Sequence, residues 1–135
     1  MDYQLHCGDA LDILAGIPDN HIETVLTDPP AGISFMGKDW DADKGGPKQW
    51  IQWLATILTE CRRVMKPGGA IMVWSFPRTS HWTGTAIEEA GFEIADQIHH
   101  IFGTGMVHSY DISKAFDAQA GEERRVIGRM NPHRD

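Results

Sequence analysis

Residues 23–30, Glu-Thr-Val-Leu-Thr-Asp-Pro-Pro, decide the fold. Glu23-Thr24-Val25-Leu26-Thr27 is β-branched and apolar, which predicts a strand. Asp28-Pro29-Pro30 stops it, because two prolines cannot continue a hydrogen-bonded ladder. Upstream, residues 3–7 predict an earlier strand, Gly8-Asp9 a turn, and residues 10–14 a short helix closed by Gly16 and Pro18. Downstream, residues 31–46 are rich in Gly, Asp and Lys around isolated Phe35, Met36 and Trp40, which predicts a mobile loop over a site.

The clearest helix comes next. Trp50, Trp53, Leu54, Ile57, Leu58, Cys61 and Met65 recur at spacings of three and four, with Gln52, Glu60, Arg62 and Arg63 on the other face. Lys66-Pro67-Gly68-Gly69 carries the cation and the breakers that end a helix. Residues 70–76, AIMVWSF, form a nearly continuous apolar run, as expected of a strand covered on both faces in a parallel sheet. Residues 80–90 predict a helix closed by Gly91, and residues 92–102 a further strand. The order β-α-β-α-β-α-β implies a doubly wound parallel α/β sheet, whose ligands bind at the carboxyl ends of the strands. Residues 111–120 predict a last helix, followed by a charged tail in which Arg124, Arg125, Arg129 and Arg134 are read as solvated, with contact to a nucleic-acid backbone as the alternative.

Composition narrows the function. The chain has 135 residues, 41% hydrophobic and 23% charged, which is ordinary for a soluble domain. It contains no apolar run near the roughly 20 residues of a membrane span, and its start lacks a signal-peptide pattern, so a cytoplasmic location is expected. A net charge of −7 argues against a freestanding nucleic-acid binder, since that affinity rests on Lys and Arg against phosphates. Cys7 and Cys61 lie far apart without metal-ligand spacing and are both read as small core residues. His99 and His100, adjacent on an expected strand, would point to opposite faces and cannot share a metal, so no metal site is expected. Trp50 and Trp53 are read as core. Phe35, Met36 and Trp40 are read as a lid or simple packing, with a seat for a displaced base as the alternative.

The string Thr27-Asp28-Pro29-Pro30 at a strand's carboxyl end puts a carboxylate beside a prolyl carbonyl at the ligand-binding edge. An exocyclic amine such as adenine N6 is a poor nucleophile because its lone pair is delocalised into the ring. Two acceptors, one for each N–H, draw the nitrogen toward tetrahedral geometry and free the lone pair for a methyl electrophile.

Here the sequence resembles the DNA amino-methyltransferases that modify adenine N6 or cytosine N4, whose signature is Asp/Ser-Pro-Pro followed by an aromatic. LHCGDALDIL, IPDNHIETVLTDPP, GISFMGKDWD, CRRVMKPGGAIMV and SYDISKAFD occur in the order of the phage-like members, whose catalytic motif precedes their cofactor motif. The resemblance covers nearly all of residues 3–128. It implies a Rossmann-like S-adenosylmethionine-dependent methyltransferase fold with a mostly parallel and incomplete sheet, a catalytic-motif domain over residues 1–128 and a flexible tail over 129–135. It also implies that Asp28 and Pro29 grip the target amine and that the residue after Pro30 stacks on a flipped base. That residue is Ala31. Stacking is worth roughly 1–3 kcal/mol per base, so impaired activity is expected, through an introduced substitution or a natural loss.

By the same resemblance Gly8, Asp9 and Ala10 meet the adenine of S-adenosylmethionine, with Asp28 nearby. The plain alternative is that Asp9 caps the helix it precedes. The family's Gly-rich cofactor loop is not found; Gly103-Thr104-Gly105 has glycines without a strand-to-helix setting. The resemblance also implies that Asp at position 28 favours adenine N6 over cytosine N4. DNA is the expected substrate partner, and an open sheet edge is expected to pair with a second copy or a completing partner. The competing reading is a non-catalytic binding or decoy protein that keeps the fold.

Overall fold

The computed structural model describes residues 3–101, 103 and 112–122. The chain divides into two compact units, Met1–Gln97 and Ile98–Asp135. In the first, helix α1 (Ala10–Ala15) leads to strand β1 (Ile22–Thr27), two short 3-10 turns (Phe35–Gly37 and Asp39–Asp41), helix α2 (Pro47–Val64), strand β2 (Met65–Val73) and helix α3 (Ser80–Glu89). In the second, helix α4 (Ile112–Ala120) is the described element.

Helix α2 organises the first unit. Its apolar stripe buries Trp50, Leu54, Ala55, Leu58, Cys61 and Val64. Trp50, Leu54, Ala55 and Leu58 form one cluster with Ala86 and Ala90, against which Trp53, Ile71, Val73 and Trp82 pack. The ring of Trp50 meets those of Trp53 and Trp82 at centroid distances of 6.1 and 5.8 Å, tilted arrangements that suit aromatic quadrupoles.

β1 and β2 pair in parallel, so both carboxyl ends lie at one edge. α2 passes directly into β2: Met65 is extended, yet its N–H still donates to the Cys61 carbonyl. Lys66-Pro67-Gly68-Gly69 therefore does not separate helix from strand, as the sequence suggested, but bulges within the strand. Ile22 pairs with Met65, and the next pair is Thr24 with Ala70. Gly69 permits the detour, because a Cβ there would stand 2.6 Å from the Glu23 carbonyl oxygen. Lys66 closes the bulge on Glu23 at 2.8 Å and lowers that carboxyl's pKa through the hydrogen bond and its charge.

The other end of β1 hangs on Arg63. Its guanidinium donates to the carbonyls of Leu14 (2.8 Å) and Ile17 (3.1 Å), to Glu60 (2.8 Å) and to Asp19. It thus caps the C-terminal end of α1 and ties it to α2. The sequence had placed Arg63 on a solvated face.

Four expectations are corrected. Residues 3–7 and 92–101 form no strand, and the sheet among the described residues has two strands rather than four. Apolar residues alone do not make a strand without a ladder partner, and Leu5 and Ile101 are largely exposed. β2 is covered on one face only: Ile71 and Val73 turn to the core, while Leu26 of β1 and Met72 of β2 are exposed. Cys7 is exposed, and only Cys61 is buried, where burial pushes its thiol pKa up with help from the Glu60 charge. His99 and His100 lie on no strand, so the two-faces argument does not apply. No His, Cys, Asp and Glu cluster suited to a metal occurs among the described residues. No helix among them is long and apolar enough to cross a membrane. Thr104, Gly105, Asp111 and the arginines at 124, 125, 129 and 134 lie outside the described residues.

Candidate active site

The site is built where β1 ends. The Thr27 carbonyl accepts from the Trp74 N–H at 2.8 Å, the last rung that joins the two strands. Asp28 follows at once. It is exposed, and its carboxylate makes no hydrogen bond or ion pair among the described residues. Pro29, Pro30 and Ala31 are half-buried behind it. The structure therefore keeps Asp28, Pro29, Pro30 and Ala31 together at the edge where a parallel sheet presents its ligand-binding loops.

The turn after Ala31 is fixed by contacts that the sequence did not reveal. The Ala31 carbonyl accepts from the Thr79 hydroxyl, just before α3, at 2.8 Å. Gly32 has φ +70°, and a Cβ on it would meet Trp50 Nε1 at 2.7 Å, so the backbone sits directly on the indole of α2. That Nε1 is buried and without a hydrogen-bond partner among the described residues. The Gly32 N–H donates to Asp41 Oδ1 (2.9 Å), the Phe35 N–H to Asp41 Oδ2 (2.8 Å) and the Ser34 N–H to the Asp41 carbonyl (2.8 Å). Asp41 is 1% exposed. Residues 32–41 thus form a hydrogen-bonded turn around one carboxylate, where the sequence suggested a loop without structure of its own. Phe35, Met36 and Trp40 are exposed instead of packing over the site, while Lys44 Nζ lies 4.9 Å from the Trp53 ring centroid.

Beside this turn is a cleft of about 390 Å³ lined by Gly32, Ile33, Ser34, Asp43, Arg78, Thr79 and Trp82. It joins the turn to the start of α3 and supplies polar, cationic and aromatic groups within one opening. Nothing in a single sequence marks Asp41, Thr79 or Arg78 as its builders. The only cue is that a Gly-rich turn needs acceptors for its inward N–H groups and that Asp often provides them.

Gly8-Asp9-Ala10 stands apart from these contacts. Asp9 is the exposed N-cap of α1, with Oδ1 accepting from the Leu11 N–H at 2.9 Å. The capping alternative is therefore what the structure shows, and no hydrogen bond links this segment to Asp28 among the described residues. Asp9 Oδ2 has no partner among them, so the residue retains an open acceptor for an amine.

A family model described as DNA methylase matches residues 22–112, more than half of the chain and the whole span from β1 to the start of α4. The chain belongs to this DNA methylase family. The type II methyltransferase M.BamHI of Bacillus amyloliquefaciens is 29% identical over 75 residues, covering 56% of this chain and 18% of that protein. The type II methyltransferase M.BglII of Bacillus subtilis is 30% identical over 91 residues, covering 67% and 22%. The DNA adenine methyltransferase YhdJ of Escherichia coli strain K12 is 35% identical over 68 residues, covering 49% and 22%. The chain thus spans about a fifth of the length of these curated relatives. No solved structure matches it. The mixed α/β architecture with its parallel strand pair is consistent with a methyltransferase domain, and the methyl donor of this family is S-adenosylmethionine.

Proposed function

We propose that this chain is the catalytic-motif part of a DNA amino-methyltransferase acting on adenine N6. The observation that carries the reading is the unpaired, exposed Asp28 at the carboxyl end of β1, followed by Pro29, Pro30 and the clamped Ala31. Asp28 accepts one N–H of the target amine and the Pro29 carbonyl accepts the other, which turns the lone pair out of conjugation. S-Adenosylmethionine supplies a methyl group on a sulfonium, an electrophile that needs no further activation. Asp28 then stands ready to receive the proton that the methylated nitrogen sheds. Position 31 carries the surface on which the displaced base rests, and Ala31 offers little of it. The free acceptors on Asp28 and Asp9 fit the cofactor, which brings an amine and a cationic centre; Gly8, Asp9 and Ala10 would hold its adenine.

Adenine over cytosine N4 is favoured by Asp at position 28 and by the similarity to the Escherichia coli DNA adenine methyltransferase. The same reading treats residues 1–128 as one catalytic-motif unit with a tail over 129–135. It also expects the exposed sheet residues Leu26 and Met72 to be covered by a second copy or a completing partner. Ala31 favours one rival, a binding protein that keeps the fold without transfer.

Calorimetric titration with S-adenosylmethionine, followed by a methyl-transfer assay on adenine-containing duplex DNA, tests both. Binding near micromolar, with transfer gained by Ala31→Tyr, is expected of the enzyme. Cofactor binding without transfer in a folded Ala31→Tyr chain would favour the binding protein, and no binding up to millimolar would defeat the enzymatic reading.

A further inference from the structure

The Ala31 carbonyl and the Gly32 N–H belong to one peptide group, and that group is held at both ends. Thr79 donates its hydroxyl to the oxygen at 2.8 Å, and Asp41 Oδ1 accepts from the nitrogen at 2.9 Å. A peptide is planar and trans, so fixing its oxygen and its hydrogen fixes the plane. Rotation is blocked from below, where the indole of Trp50 lies against Gly32. On the other side Pro30 has its own φ locked. These contacts restrict the backbone torsions that set the Cα–Cβ direction at position 31, and none of them involves its own side chain, which is a single methyl.

Both holders are buried, Asp41 at 1% and Thr79 at 2% exposure, and each gives up an ordinary role to do this. Thr79 occupies the N-cap of α3 yet makes no side-chain cap hydrogen bond to its own helix, although threonine at that position normally bonds an N–H of the first turn. Among the described residues Asp41 is a buried carboxylate without an ion-pair partner, balanced by backbone N–H groups. A methyl group has no need of such aiming. A planar side chain that must meet a base face at the right angle does.

We propose that Asp41 and Thr79 are positioning residues that aim whatever side chain occupies position 31. Their use in base capture rests on the function proposed above, but the aiming itself does not. The pair acts through the backbone and touches no substrate. It follows that position 31 is a prepared mount: an aromatic placed there inherits its direction without further changes.

The native alanine allows a direct test, since the ¹³C-methyl axis of Ala31 reports the Cα–Cβ direction. Methyl relaxation is measured on the full chain and on Asp41→Asn, Thr79→Val and Thr79→Ser, with the core methyls of Ala55 and Ala86 as internal controls. In the parent the Ala31 axis is expected near the order of rigid backbone, about 0.85, and below about 0.6 in Asp41→Asn and Thr79→Val. Thr79→Ser keeps the hydroxyl and restores the parent value. Asp41→Asn also exposes the Gly32 or Phe35 amide to faster hydrogen exchange. A merely structural role would lower the melting temperature and leave the Ala31 axis ordered. Low order in the parent, or unchanged order in both Asp41→Asn and Thr79→Val, would overturn the proposal. Should Ala31→Tyr prove inactive on DNA, the proposed function would fail while the relaxation result still decides the clamp.

Discussion

Two charged residues gather the backbone groups of irregular segments, and they differ in nearly everything else. Asp41 is buried, lies in the turn that follows the proposed site and gathers backbone N–H groups from Gly32 and Phe35. Arg63 is half-buried, stands at the opposite end of β1 and gathers the carbonyls of Leu14 and Ile17 with the carboxylates of Glu60 and Asp19. The carboxylate is itself shut away from water, whereas the guanidinium bridges groups that water can also serve. Two hydrogen bonds on the carboxylate can therefore outweigh four on the guanidinium, because leaving a buried donor unpaired costs its full desolvation.

Truncating the buried hub is the strongest way to break the comparison. Asp41→Ala strands two inward N–H groups, and bonds to charged groups are worth about 1.5–3 kcal/mol each, so a loss of about 3 kcal/mol is expected in chemical denaturation. A loss as small as that of an ordinary surface substitution would mean that the turn relaxes and finds water. Arg63→Met keeps the aliphatic stem over α1 and removes the charge. Its midpoint should fall by less than half as much, and the difference from the parent should shrink between about 0.1 and about 1 M salt. A salt-independent loss would show that the carbonyl contacts, and not the carboxylates, matter.

The smallest effect separates the two cysteines. Cys7 is exposed and should react with a thiol reagent at once, while Cys61 should react only on unfolding. Burial raises the Cys61 thiol, so the folded chain keeps a proton that the unfolded chain releases above the ordinary thiol pKa. Its share of stability is present below that pH and is lost as pH rises through the folded value. Cys61→Ala should flatten that alkaline slope.

Helix α2 was legible because Trp50, Leu54, Leu58 and Cys61 repeat with the helix, and packing obeys the same period. Asp28 could be placed because prolines stop a strand wherever they follow one. Residues 3–7 and 92–101 misled because a short apolar-containing run signals a possible strand and says nothing of a neighbour to pair with. Lys66-Pro67-Gly68-Gly69 reads as punctuation in one dimension, and only the position of the Glu23 carbonyl makes it a bulge. Asp41 and Arg63 were hidden for another reason. A charged letter in a polar stretch looks solvated until the backbone groups it serves are brought to it from elsewhere in the chain.

The bulge also acts as a parity device. Between the pairs Ile22–Met65 and Thr24–Ala70, β1 advances two residues and β2 advances five, an excess of three in an element whose side chains alternate with period two. An odd excess exchanges odd and even positions, which is why Ile71 and Val73 reach the helices while Met72 is left outside. Removing one residue from this detour, with Met65 still anchored, would bring Met72 opposite Val25 and turn the rest of the strand over. Four residues, two of them glycine, thus choose which half of the strand becomes interior.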